Sequence, residues 1–113
     1  MNWNEFMRVF NDCELNGDKI IIKSKLHDAL KFIVDNYSYN ILKEIIANDA
    51  GEGKTELIYH LYSTDDEEDL FLAIVVQNEI ESVTDLFKSA IADENEIFDL
   101  FGVKFIGNPD LKR

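Results

Sequence analysis

The residues able to carry chemistry are few, and most lack the spacing that chemistry needs. Gly53-Lys54-Thr55 has the ending of a phosphate-binding loop, but the position five residues before Gly53 is Asn48, not glycine. The residues that follow, Glu56 to Ser63, are strand formers, whereas a phosphate loop opens a helix whose N-terminus holds the anion. The segment reads as a hairpin turn. The acidic run Asp65 to Asp69 invites calcium, yet a calcium loop starting at Asp65 would need glycine at Leu70 and a carboxylate at Val76. It reads as a solvated loop that also discourages edge pairing.

His27 and His60 are the only histidines, and Cys13 is the only cysteine. Without a helical H-x-x-x-H pair or paired cysteines there is no metal-ligand set, so both histidines read as partly buried structural residues. Ser24, Ser38, Ser63, Ser82 and Ser89 all lack a nucleophile-elbow context and suit caps and turns. Glu94 stands apart. On a helical wheel Ala90, Ile91, Ile97, Phe98 and Phe101 share a face, with Glu94 in its middle. A carboxylate there must pair with a cation or accept hydrogen bonds, because burying it alone raises its pKa or costs several kcal/mol. Two readings stay open: an internal pairing or rim position, or a contact with a group on another chain.

Several elements would have to position these groups. Trp3, Phe6, Met7, Phe10 and Cys13 recur at helical spacing, which puts Cys13 in the core. Asn16-Gly17-Asp18 reads as a turn into a strand over Lys19 to Lys23. Ser24 is placed to cap a helix whose buried stripe is Leu26, Ala29, Leu30, Ile33 and Val34. Ile41 to Ala47, Glu56 to Ser63 and Leu70 to Gln77 read as an antiparallel meander. Helical period returns from Val83 to Phe101, and Gly107-Asn108-Pro109-Asp110 has turn chemistry.

The chain has 113 residues and a formal net charge of −12. Phosphate would repel so acidic a surface, which argues against a nucleic-acid partner. At this length one domain is expected, with enough apolar residues to build a core. The lone cysteine fits a reducing compartment, the longest apolar run, Leu70 to Val76, is too short for a membrane helix, and the N-terminus lacks a signal pattern. The expectation is a cytosolic protein. Residues 102–113 carry a net +2 against −14 for residues 1–101, and Val103, Phe105, Ile106 and Leu111 suggest that this end docks on something.

The stretch Glu56 to Arg113 resembles the C-subunit family of NADH:quinone oxidoreductase (respiratory complex I) and the corresponding subunit of energy-converting membrane-bound nickel–iron hydrogenases. Two matching segments are Glu56-Leu57-Ile58-Tyr59-His60-Leu61-Tyr62-Ser63 and Ser82-Val83-Thr84-Asp85-Leu86-Phe87. The third is the run Glu94 to Arg113, against the family pattern E-R-E-x-x-D-hydrophobic-F-G-(I/V)-x-F-x-G-H-P-D-L-(R/K)-R. Upstream, Leu42 to Gly51 and the helix Leu26 to Val34 follow the family's order of elements more loosely. Asn95 stands where the family has Arg, Asn108 where it has His, and Phe87-Lys88-Ser89 where it often has Trp-Pro-Gly. The first two remove polar contacts, and the third implies a longer helix with a softer break. The chain also stops where respiratory members usually continue, which makes it look more like the hydrogenase branch.

The resemblance implies an α+β fold: a two-layer sandwich of a mixed, mostly antiparallel sheet with helices on one side. It implies a single domain of this family over 1–113, with 102–113 as a docking segment. It further implies a non-catalytic subunit of the cytoplasmic arm that binds no cofactor. Such a protein packs on the large quinone-site or nickel–iron-type subunit near the small iron–sulfur subunit, and meets the membrane only through the complex. Iron–sulfur clusters, and any nickel–iron site or quinone, belong to those partners. The residues carried over are Glu94, Glu96, Asp99, Phe101, Gly102, Phe105, Gly107, Asn108, Pro109, Asp110, Lys112 and Arg113. Of these, Glu94, Asp99 and Phe101 are expected to hold the C-terminal segment, and Phe105, Asn108, Asp110, Lys112 and Arg113 to form the docking edge. A competing reading is a stand-alone acidic inhibitor, an immunity protein or DNA mimic, acting through Asp65 to Asp69 with strong salt dependence. A small enzyme would be a third class, and no constellation of residues supports one.

Overall fold

The computed structural model describes residues 1–110. Helix α1 (Trp3–Val9) is opened by Asn2, whose side chain accepts the Glu5 N–H. Strands β1 (Cys13–Asn16) and β2 (Lys19–Ile22) form a hairpin across Gly17, where φ is 69°. Helix α2 (Leu26–Asn36) follows, then the meander β3 (Ile41–Gly51), β4 (Lys54–Ser63) and β5 (Glu68–Val76). A short β6 (Glu79–Glu81), helix α3 (Ala90–Phe101) and β7 (Lys104–Ile106) complete the described chain.

The main sheet has the order β1-β2-β5-β4-β3, with β2 and β5 parallel and every other pair antiparallel. Alternation along the strands sends Ile20, Ile22, Leu57, Tyr59, Leu61, Leu70, Leu72 and Ile74 to one face. There they join Phe6 of α1, Leu26, Ala29, Leu30 and Ile33 of α2, and Ala90 and Ile97 of α3 in one core. This is the α+β arrangement of a mostly antiparallel sheet with helices on one side. A band in register, Ile21–Ala73–Ile58–Ile46, crosses four strands on the opposite face.

The hairpin reading of Gly53-Lys54-Thr55 holds: Gly51, Glu52 and Gly53 all have positive φ, a tight turn, and Lys54 and Thr55 open β4. Other expectations are corrected. Lys25, not Ser24, occupies the N-cap of α2, in the left-handed region at φ 60° and with no side-chain cap bond. Cys13 lies in β1 rather than on α1, half-buried with its thiol on the Phe10 carbonyl at 2.8 Å, and Met7 is exposed. The helix expected from Val83 begins only at Ala90. Val83 spends its carbonyl on the N–H groups of Leu86 and Phe87, a local turn that ends before Lys88. The break at Phe87-Lys88-Ser89 is therefore kept even without proline. Strands β1, β6 and β7 were not expected as strands.

Candidate functional site

Glu94 projects from the middle of α3 and is completely buried. Its Oε1 accepts from the Ser82 hydroxyl at 2.8 Å and the Asn108 amide nitrogen at 2.9 Å, and its Oε2 accepts from the Val83 N–H at 2.9 Å. No ion pair involves it among the described residues. Of the two open readings the internal one applies, in the form of three hydrogen bonds from its own chain instead of a salt bridge. Burial pushes its pKa up, the three hydrogen bonds pull it down, and the nearby Asp85 charge adds to the rise; burial dominates.

These bonds join three segments far apart in sequence. Ser82 and Val83 follow β6, Glu94 lies on α3, and Asn108 follows β7. Strands β6 and β7 pair in parallel, Glu79 with Lys104, Ile80 with Phe105 and Glu81 with Ile106, and the Ser82 N–H donates to the Ile106 carbonyl at 2.8 Å. Asn108 uses both ends of its amide: Nδ2 donates to Glu94 while Oδ1 accepts the Asp110 N–H at 2.8 Å. The asparagine that stands in place of the family's histidine thus makes two polar contacts of its own. Gly102, at φ 75°, closes α3 with its N–H on the Phe98 carbonyl at 2.9 Å, and Gly107, at φ 98°, turns the chain after β7. The arrangement is a latch. It fixes residues 102–110 against α3 and the main body.

The expected roles are distributed differently. Phe105 and Asn108 are buried and hold the segment, so they offer no docking edge. Asp99 is exposed and Phe101 is 39% exposed, so neither is well placed to hold it. Glu96, Pro109 and Asp110 are described in the same end of the molecule, Pro109 and Asp110 exposed beyond the latch and Glu96 on the outer side of α3, while Lys112 and Arg113 lie outside the described residues. Phe98 shares the exposed end of α3, because the helix runs past the apolar material that covers Ala90 and Ile97.

Sequence reasoning missed Ser82 as a partner of Glu94, since a spacing of twelve residues has no local periodic meaning. His27 is the partly buried structural histidine expected, but its partners were not foreseen: its Nε2 lies 2.8 Å from Asp85 Oδ2 and its Nδ1 3.8 Å from Glu81 Oε2. That pairing ties the start of α2 to the segment that feeds the latch. His60 stacks on Phe71 at 4.3 Å and meets Asp69 at 2.7 Å, a structural role on the open face of the sheet. Among the described residues no group of three His, Cys, Asp or Glu is placed to hold a metal ion. No helix among them is long and apolar enough to cross a membrane.

Residues 20–113 match the family described as respiratory-chain NADH dehydrogenase, 30 Kd subunit. The chain is similar to the C subunit of an NADH-quinone oxidoreductase from Moorella thermoacetica, 30% identical over 118 residues that span 96% of this chain and 80% of that one. The fused C/D subunit of the enzyme from Phocaeicola vulgatus is 31% identical over 93 residues, 79% of this chain and 18% of that protein. The C subunit from Ruegeria pomeroyi is 33% identical over 106 residues, 88% of this chain and 52% of that one. The chain therefore spans between under a fifth and four-fifths of these relatives. Among solved structures, a chain of the membrane-bound sulfane sulfur reductase, an archaeal respiratory membrane complex, superposes with a TM-score of 0.84. That match covers 96% of this chain and 71% of the other at 21% identity, and shows a shared fold.

Proposed function

The chain belongs to the family of the 30 Kd subunit of respiratory-chain NADH dehydrogenase, and from that premise we propose that it is a structural subunit of a membrane-bound, complex I-like oxidoreductase. In this reading it has no catalysis or cofactor of its own. It docks on the large subunit that carries the quinone site, or on the nickel–iron-type equivalent, beside the small iron–sulfur subunit. It lies peripherally on the cytoplasmic face, and supports electron transfer coupled to ion translocation by holding those partners in position.

The observation that carries the reading is the use made of Glu94. The most conspicuous carboxylate of the motif spends its acceptor capacity on Ser82, Val83 and Asn108, which makes it a positioning group for the C-terminal segment. A general acid or base would need a path to a substrate, and Glu94 is fully buried. The comparisons give no support to the stand-alone inhibitor.

Affinity purification of the tagged chain from native membranes, with mass spectrometry, tests the proposal. Recovery of an iron–sulfur subunit with a large quinone-site or nickel–iron-type subunit is the expected result, and nickel content chooses between branches. Recovery of a soluble nuclease or toxin alone would overturn it.

A further inference from the structure

We propose that the last turn of α3 is a docking knob for a protein surface that offers an apolar pocket ringed by lysine and arginine. The proposal rests on the reading of this chain as a subunit of a complex and names the chemistry of the surface it meets. Three large apolar side chains cluster in sequence there and remain in solvent: Phe98 is 36% exposed, Leu100 73% and Phe101 39%. Phe98 and Phe101 stand one turn apart on adjacent rows of the helix, and Leu100 flanks Phe101 on its other side.

The charge around them has one sign. From Ser89 to Val103 there is no lysine or arginine. Of the four carboxylates there, Glu94 is buried in the latch and Asp93 accepts the Ile45 N–H, which leaves Glu96 and Asp99 exposed beside the apolar cluster. The next cation along the chain, Lys104, sits beside Glu79 across the β6–β7 pair. Asp99 also lies at the negative end of the helix dipole, where a cation is favoured and none occupies the last turn. A carboxylate placed against both the dipole and its neighbours does not stabilise the free chain. Its charge is complementary to a cationic rim, and the adjacent aromatic pair to an apolar centre, the usual anatomy of a protein interface.

The test replaces the tagged chain in its native host with Leu100→Glu or Asp99→Lys and measures partner subunits recovered per tagged chain from solubilised membranes. Each variant is expected to lower recovery at least about tenfold, which corresponds to loss of one central contact. Glu67→Lys, in the exposed β4–β5 turn, is expected to leave it unchanged. Asp99→Lys separates docking from folding: a cation at the helix C-terminus should preserve or raise the melting temperature of the isolated chain while recovery falls. If the wild type brings down no complex subunits, the reading as a subunit fails. If it does and both variants do so equally, the knob fails while that reading stands. An isolated wild-type chain that is dimeric by light scattering, and monomeric as Leu100→Glu, would also overturn the proposal by making a second copy the occupant.

Discussion

Replacing Glu94 by alanine removes the only acceptor shared by three buried donors. The Ser82 hydroxyl, the Val83 N–H and the Asn108 amide point at its two oxygens from 2.8 to 2.9 Å. The Ser82 hydroxyl can turn to Thr84 Oγ1 at 2.9 Å, so two donors lose their acceptor, and at about 1–3 kcal/mol each this amounts to roughly 2–6 kcal/mol before relaxation or water entry. Against a domain stability of about 5–15 kcal/mol this is enough to detach the segment and, at the upper end, to unfold the chain. Glu94→Gln is the milder probe, because it keeps the volume. One amide oxygen cannot serve both positions now filled by Oε1 and Oε2, so whichever way the amide turns at least one donor faces an NH2, at a cost of about 1–3 kcal/mol. Urea titration measures the global term, and amide hydrogen exchange locates it. The expected pattern is faster exchange at Val83, Lys104 and Asn108 with little change at Leu57 to Leu61 in β4. A Glu94→Ala chain within about 1 kcal/mol of wild type, with protection retained at those amides, would refute the latch.

Gly102→Ala meets no neighbouring atom but forces a β-carbon onto a residue at φ 75°, so it should cost about 1–2 kcal/mol and lower the melting temperature by several degrees. Tyr59 is fully buried and its hydroxyl has no partner among the described residues, so Tyr59→Phe should leave stability unchanged or raise it by up to about 1 kcal/mol in urea titration. Because burial holds the Glu94 pKa above its ordinary 4.5, the folded chain keeps this proton to higher pH than the unfolded chain. Its contribution therefore falls as pH rises from about 4.5 through the folded pKa, and the stability advantage of wild type over Glu94→Gln should shrink across that window. A difference that stays flat or grows between about pH 4 and pH 8 would contradict this sign.

What the sequence showed and what it hid follow from the range of the forces involved. The meander was legible because Thr55 to Ser63 and Leu70 to Val76 alternate, or run apolar, between polar turns. Helix α2 was legible from Leu26, Ala29, Leu30 and Ile33. Strands β6 and β7 were not, since each is three residues long and exists through a parallel pairing across more than twenty residues. The false start of α3 at Val83 arose because Val83, Leu86 and Phe87 have helical spacing, while their backbone closes a single turn and the Val83 N–H is taken by Glu94. Glu94 itself was conspicuous as a carboxylate on an apolar face. Its partners were hidden because Ser82 and Asn108 are brought to it only by the tertiary fold. That Asp99 and Phe101 lie exposed while Phe105 and Asn108 are buried has the same origin: periodicity marks a face, not how far the covering core extends along it.

Mass-resolved profiling of native membrane complexes, separated without denaturation, tests most directly whether this chain is a subunit. The expected result is that it migrates in the same high-mass band as an iron–sulfur subunit and a large quinone-site or nickel–iron-type subunit, and that the band is lost when the chain is deleted. Migration of the chain alone at low mass, with that band intact in the deletion strain, would contradict it.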